Sequence, residues 1–249
     1  MLPIQNNSSQ YTDEEFETNY PEGMENYYWT YSRNLILLSE LHRHSLLDKK
    51  ILEIGCGKGL VIQFLRKHQI NIWGSELGNV IPFPEIQEYI YTNKDCLILS
   101  EEFRNTIEVI MLLDVLEHIE DSISFLKNII HHYPNLSYIY ITVPARMELW
   151  SSYDIFYRHY RRYTLCSLQK MVSSLEMKIV DSGYLFRILY LPALWVAKTS
   201  GKRNHTMTAP KKFFSRWIHR IMAYLLYLDY KIIYKKMIGS SLYCLLQKK

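Results

Sequence analysis

The sequence predicts an α/β fold in which a doubly wound, mostly parallel sheet carries helices on both faces. Short apolar segments typical of buried strands alternate with segments whose apolar residues recur at helical spacing. A glycine-rich turn follows the first of these strands, at 55–59. This alternation indicates parallel pairing with right-handed crossovers, because each return connection is long enough to hold a helix.

The predicted elements follow one another in a regular order. An N-terminal segment, 1–23, is polar and expected to be flexible, and one domain is expected over 24–249. Within that domain, 185–236 has no strand pattern and is predicted to be a helical insertion. We predict strands over 50–54, 71–75, 88–92, 107–113, 137–143, 177–184 and 240–247, the last one antiparallel, and helices over 24–47, 59–68, 100–105, 122–132 and 165–175.

The glycine turn predicts a cofactor site, since glycines allow a sharp turn and leave room where a Cβ would block a ligand. Gly55, Gly57 and Gly59 do not fit the dinucleotide pattern, which needs its third glycine where Leu60 stands. No Lys-Ser or Lys-Thr pair follows, so the turn is not a phosphate-binding P-loop. An NAD(P)-dependent oxidoreductase stays as an alternative, because an acid, Glu76, lies about 20 residues after the glycines.

Glu53 followed by three alternating glycines resembles motif I of class I S-adenosylmethionine-dependent methyltransferases. The strand that ends at Glu76, the turn at Asp95 and the segment 107–121 are similar to the family's next motifs, in the same order. The resemblance implies a Rossmann-like sheet of seven strands and S-adenosyl-L-methionine as the cofactor. It also implies that the cofactor is bound by Glu53, Gly55, Cys56, Gly57, Gly59, Glu76, Leu77, Asp95, Leu113 and Asp114.

The resemblance also gives the acids separate roles. Glu53 is expected to organise the glycine loop and the amino-acid end of the cofactor, Glu76 to accept the ribose hydroxyls, and Asp95 to meet the adenine amino group. Asp95 also fits an ordinary turn, and Asp114 could do no more than cap the turn after its strand.

Three further segments resemble a narrower bacterial group within this family. Residues 27–33 are similar to its N-terminal Trp-Trp-Phe-x-x-Arg segment, although Tyr28 replaces a tryptophan. Residues 159–164 match its His-Tyr-Arg-Arg-Tyr-Thr signature, and 238–246 resembles its closing strand. This likeness specifies the cofactor far better than the substrate.

The methyl acceptor is expected to be an oxygen of a small molecule, a glycan or a lipid-linked intermediate. A hydroxyl acceptor needs a base, and His159 is the best candidate because it lies past the fifth strand, where the family's acceptor site lies. Its arginine neighbours should lower its pKa, although the segment also fits a solvated basic turn. His118 is a second candidate base that could instead only pack against its loop. Trp29, Tyr153 and Arg161 are predicted to face the acceptor.

The charge distribution is asymmetric along the chain. Residues 198–249 carry twelve Lys and Arg against one acid, Asp229, whereas 1–197 carry seventeen basic and twenty-four acidic residues. Such an imbalance indicates an anionic partner for the C-terminal part. A basic amphipathic helix over 211–228 predicts contact with an anionic membrane surface, or alternatively a helix that covers the sheet. No nucleic acid is expected, since no Asn/Asp-Pro-Pro-Tyr motif follows the fourth strand.

The cysteines and the apolar segments restrict which kinds of protein this chain can be. The four cysteines have neither metal-ligand nor paired spacing, which predicts no metal site and a reduced, cytoplasmic protein that could associate with a membrane. The longest apolar runs are too short to cross a bilayer. A non-catalytic protein that retains a cofactor fold and binds a membrane or a partner is a further alternative.

Overall fold

A computed structural model describes residues 21–199 and 208–249 of the chain. Nearly all of the N-terminal segment that the sequence predicts to be flexible, 1–23, lies outside these residues. The described residues form one seven-stranded sheet with helices on both faces, in the doubly wound arrangement that the strand–helix rhythm predicts.

The sheet has the strand order β3-β2-β1-β4-β5-β7-β6. Both β5 and β6 pair antiparallel with β7, and every other pairing is parallel, so the predicted antiparallel last strand is confirmed. The strands are β1 Ile51–Ile54, β2 Ile72–Glu76, β3 Ile90–Thr92, β4 Val109–Leu113, β5 Tyr138–Pro144, β6 Met177–Leu185 and β7 Ser241–Lys248.

The helices largely follow the predicted order, with two differences. The predicted first helix over 24–47 is interrupted, because Tyr27 is extended between a 3-10 turn and α1, and it ends early, before Ser45 with φ of 56°. The stretch after β5, which has no predicted element, contains the short helix α5. The helices are α1 Tyr28–Arg43, α2 Leu60–Lys67, α3 Glu101–Arg104, α4 Ser122–His132, α5 Ser152–Phe156, α6 Leu165–Ser173, α7 Tyr190–Thr199 and α8 Phe213–Ile232.

Each face of the sheet buries a separate apolar layer. On one face, α4 and α6 contribute side chains such as Leu126 and Leu168 to a core shared with β4 and β5. On the other face, α1, α2 and α8 contribute side chains such as Ile36, Ile62 and Leu226. The central parallel strands β1 and β4 are buried at every position, and apart from Glu53 they are continuously apolar rather than alternating.

Within the predicted insertion, 185–236, the structure places a 3-10 turn and the helices α7 and α8, while 208–212 and 233–236 are not helical. A buried ion pair fixes α8 to the domain. Asp229 of α8 accepts hydrogen bonds from the backbone N–H groups of Arg187 and Ile188, at 3.0 and 3.2 Å. The guanidinium of Arg187 donates to the same carboxylate at 3.4 Å. A carboxylate with several donors offsets much of its desolvation, so this contact stabilises the orientation of α8.

Candidate cofactor and acceptor site

The predicted cofactor residues meet at the carboxyl ends of β1, β2 and β4, beside the point where the strand order reverses. The three glycines after β1 all have positive φ, 74°, 54° and 88° in chain order. Residues other than glycine rarely adopt such backbone conformations. A Cβ on Gly59 would lie 2.4 Å from side-chain carbons of Ile86 and Ile90. Gly59 is therefore required for packing as well as for the turn.

Glu76 at the tip of β2 connects the glycine loop after β1 to the loop after β2. Its two carboxylate oxygens accept hydrogen bonds from the N–H groups of Gly57 and Gly78, each at 2.9 Å. Burial raises the pKa of this carboxyl, while the two N–H bonds oppose the rise. Leu77, the next residue, exposes 36% of its surface and provides an apolar platform beside the carboxylate.

Glu53 is buried within the sheet with 3% of its surface exposed, and its Oε2 has no hydrogen-bond partner. Burial raises the pKa of this carboxyl to about 8; Arg33 nearby lowers it, and Glu76 raises it further. A buried carboxylate oxygen without a partner is costly. The site therefore favours a ligand that brings a cationic donor to Glu53.

Arg33 of α1 joins the N-terminal helix to the tip of β4. Its guanidinium contacts Asp114 at 2.8 Å, and the Thr142 hydroxyl donates to the other oxygen of Asp114 at 3.3 Å. Asp114 has φ of 57°, and its N–H donates to the Thr142 carbonyl. In the sequence Arg33 stands out only as part of an aromatic segment, and no local pattern predicts this contact because it joins residues far apart in the chain.

The other predicted cofactor residues surround this edge of the sheet. Asp95 caps the 3-10 turn that follows β3, because its carboxylate accepts a hydrogen bond from the Leu97 N–H at 2.9 Å. Leu113 is buried at the end of β4. Cys56 is also buried, and its sulfur would lie 2.6 Å from a Cβ on Gly74, so it packs beneath the glycine loop.

A polar cluster lies past β5, where an acceptor site is predicted. His159 Nδ1 lies 3.0 Å from Asp154, and Arg162 binds both carboxylate oxygens of Asp154 at 2.7 and 3.0 Å. Burial opposes ionisation of Asp154, but the hydrogen bonds from His159 and Arg162 outweigh it and lower its pKa to about 2. Asp154 therefore stays charged and fixes the orientation of the imidazole.

His118 and Glu117 complete this cluster from the loop after β4. The rings of His118 and His159 meet edge to face with centroids 4.7 Å apart. Burial, and then His159, lower the pKa of His118 to about 3, so its imidazole is neutral at physiological pH. Glu117 is 1% exposed, and burial, with a contribution from Asp114, raises its pKa well above the usual value. Glu117 was not among the residues predicted from the sequence.

The three predicted acceptor-facing residues are not all together. The ring centroid of Tyr153 is 6.2 Å from that of His159. Arg161 instead donates to the Glu120 carbonyl at 2.6 Å, and Trp29 packs against Phe186 with centroids 4.1 Å apart. Of the three, Tyr153 is the one in ring contact with His159.

A family model described as a methyltransferase domain matches residues 28–181 of the chain. The chain belongs to this methyltransferase family. No curated protein matches it in sequence. The matched residues include the glycine loop and the polar cluster past β5, which favours methyl transfer over the oxidoreductase alternative.

Solved structures of methyltransferases share the fold at low sequence identity. The magnesium protoporphyrin IX methyltransferase (ChlM) of Synechocystis PCC 6803 with bound SAH is 11% identical, covers 95% of this chain and 92% of its own, and has a TM-score of 0.54. The plantazolicin methyltransferase BpumL, in complex with a substrate analogue and SAH, is 13% identical, covers 95% of this chain and 88% of its own, and has a TM-score of 0.53.

Since the chain belongs to the methyltransferase family, its cofactor is S-adenosyl-L-methionine. The site fits it, because the unpartnered oxygen of Glu53 can accept a bond from an α-ammonium group and the exposed face of Leu77 suits a flat base. A Cβ at Gly55 would lie 2.9 Å from Val115, so the loop keeps its close turn only with glycine there.

Proposed function

We propose that this methyltransferase transfers the methyl group to an oxygen of a small molecule, a glycan or a lipid-linked intermediate. The observation that carries the proposal is the pair of Asp154 and His159 past β5. A histidine whose Nδ1 is held by a charged carboxylate keeps its other nitrogen available to accept a proton as a base. The narrower bacterial likeness supports the same role, since its signature contains His159 and Arg162.

Each residue in the proposal acts through a contact already described. The bound cofactor supplies a methyl group activated on a sulfonium. His159 accepts the proton of the acceptor hydroxyl, Asp154 stabilises the imidazolium that results, and Tyr153 bounds the acceptor beside the ring. We also propose that Trp29, Arg161 and His118 face the bound acceptor. Trp29 and Arg161 would shape the opening through which the acceptor enters.

On the cofactor side, we propose that Glu53 accepts the α-ammonium and Glu76 accepts the ribose hydroxyls. The bonds from the N–H groups of Gly57 and Gly78 support this role for Glu76, because they hold its carboxylate at the tip of β2. Asp95 is proposed to meet the adenine amino group while it continues to cap its turn.

The test combines the purified protein, cofactor labelled in its methyl group and extracts that contain candidate acceptors. We expect a labelled product with His131→Ala, a control at a solvent-exposed position of α4, and a product reduced at least about 100-fold with His159→Ala. Lability of the label to mild base would identify a methyl ester, whereas stability would indicate an ether. Equal labelling by both variants contradicts the role of His159. Failure of the intact protein to bind the cofactor supports a non-catalytic protein.

We also propose that the segment 211–228 binds an anionic membrane surface. The support is an apolar face that the domain leaves uncovered: Phe214 is 68% exposed, Trp217 55% and Ile221 41%. Lys211, Lys212 and Arg216 lie exposed at the same end of α8. Apolar groups beside basic ones suit an interface with anionic lipid.

A shallow pocket strengthens this second proposal. It encloses about 330 Å³ and is lined by Asn26, Phe213, Arg216, Trp217 and Arg220. A pocket lined by two arginines and two aromatic rings suits a phosphate group at the level of the lipid headgroups. Among the described residues no helix meets the length and hydropathy needed to span a bilayer.

A further inference from the structure

Three potential metal ligands meet in the polar cluster past β5. Glu117 and His118 follow β4, and His159 follows α5, so the ligands come from two separate loops at one edge of the sheet. One oxygen or nitrogen atom from each lies within 4.8 Å of the others. Ligands bound to one metal at 2.0–2.2 Å in a tetrahedral arrangement lie about 3.3–3.6 Å apart. Each of the three atoms would therefore have to move by less than about 1 Å to close around one ion.

The carboxylate among these three ligands, Glu117, has a buried oxygen that a bound cation would neutralise. Oε2 of Glu117 has no hydrogen-bond partner, and the residue is 1% exposed. An unpartnered and buried carboxylate oxygen costs free energy unless it is paired or coordinates a metal. The nearest arginine, Arg162, already donates to both oxygens of Asp154 and to the Ala145 carbonyl.

The imidazoles are held in a manner typical of metal ligands. His159 directs Nδ1 at the Asp154 carboxylate, which leaves Nε2 to coordinate. Ligating histidines nearly always bond a carboxylate or a carbonyl through their other nitrogen, because that bond fixes the tautomer and the ring. His118 is held by a hydrogen bond to the backbone of Tyr157, so it too meets this condition.

A second trio with similar spacing provides an internal comparison. Glu40, His44 and Asp181 also offer atoms within 4.8 Å of one another. Cationic side chains already compensate those carboxylates, since Arg43 bonds both of them and Lys235 bonds Asp181. That trio is a structural ion-pair network, and it contains the cations that the trio at Glu117 does not.

We propose that Glu117, His118 and His159 bind a divalent transition-metal ion. One carboxylate and two imidazoles suit Mn²⁺, Fe²⁺, Co²⁺ or Zn²⁺ better than Mg²⁺ or Ca²⁺, which prefer oxygen ligands throughout. Three protein ligands leave positions for an oxygen of another molecule. The spacing of cysteines gave no sign of this site, because its ligands are an acid and histidines from different loops.

The consequence for catalysis rests on the proposed function, transfer to oxygen. An acceptor hydroxyl bound to the ion would have a lowered pKa, so the ion takes over the task otherwise assigned to His159. Its O–H proton leaves to solvent, the oxygen forms the bond to the methyl carbon, and the electron pair of the broken C–S bond stays on sulfur. His159 then remains a ligand and does not change its protonation.

The test measures metal binding directly on the full chain. Protein stripped with chelator is titrated with Mn²⁺, and free Mn²⁺ is followed by electron paramagnetic resonance. We expect one equivalent to bind to the intact protein and Glu117→Gln to weaken binding at least about 10-fold. His118→Asn provides a second variant should Glu117→Gln fail to fold. His44→Asn, in the compensated trio, is the matched control and should leave binding unchanged.

Calorimetry with S-adenosylhomocysteine on the same samples separates this proposal from the cofactor claim. Retained binding of that ligand with no Mn²⁺ bound, or with Mn²⁺ binding that neither Glu117→Gln nor His118→Asn weakens, overturns the metal site and leaves methyl transfer standing. Loss of Mn²⁺ binding in His44→Asn alone would also overturn it. Mn²⁺ binding without binding of the nucleoside ligand would support the metal site and contradict the methyltransferase function.

Discussion

Glu53→Gln should stabilise the ligand-free protein and at the same time weaken its binding of the cofactor. The pKa of the Glu53 carboxyl is about 8 because of its burial, against an ordinary value of 4.5. A raised carboxyl pKa means that the folded state holds the proton more tightly than the unfolded chain does. Stability from this group is complete below pH 4.5 and is lost as the pH rises towards 8.

The structure sets the size of this effect. One pKa unit corresponds to about 1.4 kcal/mol, so keeping Glu53 protonated in the folded protein at pH 7 costs about 3 kcal/mol. For a chain of this length, 1 kcal/mol shifts Tm by about 2–4 °C. Glutamine has nearly the same shape and no charge to desolvate. The Tm difference between Glu53→Gln and the natural protein should therefore widen from pH 5 to pH 8, up to about 10 °C.

Thermal unfolding across this pH range, without ligand, is the measurement. Glu102→Gln is the control, because Glu102 lies exposed on α3. Glu76 and Arg33, whose charges act on Glu53, are present in all three proteins. A Tm difference that stays constant between pH 5 and pH 8 would refute a raised pKa at Glu53.

In the cofactor complex, Glu53→Gln should be destabilising, the opposite of its effect on the ligand-free protein. An α-ammonium beside Glu53 favours the ionised carboxylate, so the natural protein should release close to one proton on binding at pH 7. Calorimetry in two buffers with different ionisation enthalpies measures that number. We expect no such release from Glu53→Gln, and a loss of binding on the order of 1.5–3 kcal/mol. Equal proton release by both proteins would show that another group is responsible.

Three further outcomes follow from the site and the exposed helix. Glu76→Ala should weaken binding of S-adenosylhomocysteine by about 1.5–3 kcal/mol and loosen the glycine loop, and unchanged calorimetry would contradict the role of its carboxylate. His159→Ala should depress turnover while the affinity for that ligand stays nearly the same, and an equal loss of both would indicate a purely structural residue. Replacing Phe214 and Trp217 with serine should abolish co-sedimentation with anionic vesicles at low salt, whereas Ile98→Ser, which alters an apolar residue exposed away from α8, should not. Recovery of the unaltered protein wholly in the supernatant would overturn membrane binding.

The order of the elements follows from the sequence because buried parallel strands and amphipathic helices carry strong local patterns. Helix α5 was missed because five residues are too few to show a helical period. Its start does carry a signal, since Ser151 and Asp154 form a capping box that satisfies two backbone donors. A search for such boxes in the stretch after β5 would have predicted the helix that holds Asp154 next to His159.

The sequence predicts which residues belong to the site better than it predicts which of them contact each other. Glu53 and Glu76 were identified from their places at strand ends, where a short local pattern is enough. The contact between Arg33 and Asp114, and the burial of Glu117, depend on how separate elements pack together. Burial of an acid has no local sequence signature, because the same Glu-His pair also occurs on exposed loops. The protonation of this cluster therefore becomes visible only in the folded structure.

Helix α1 connects the cofactor edge of the sheet to the exposed helix, and this connection bears on the acceptor. Arg33 fixes α1 to Asp114 at the tip of β4, and the N–H of Tyr28, at the start of α1, donates to His219 of α8 at 3.2 Å. A surface that holds α8 would therefore also position the aromatic start of α1, next to the proposed acceptor entrance. An acceptor with a lipid anchor could then reach the site while its anchor stays in the bilayer. If α8 does not bind vesicles, the lipid-linked acceptor loses this support, whereas binding of the cofactor, which depends on β1, β2 and β4, is unaffected.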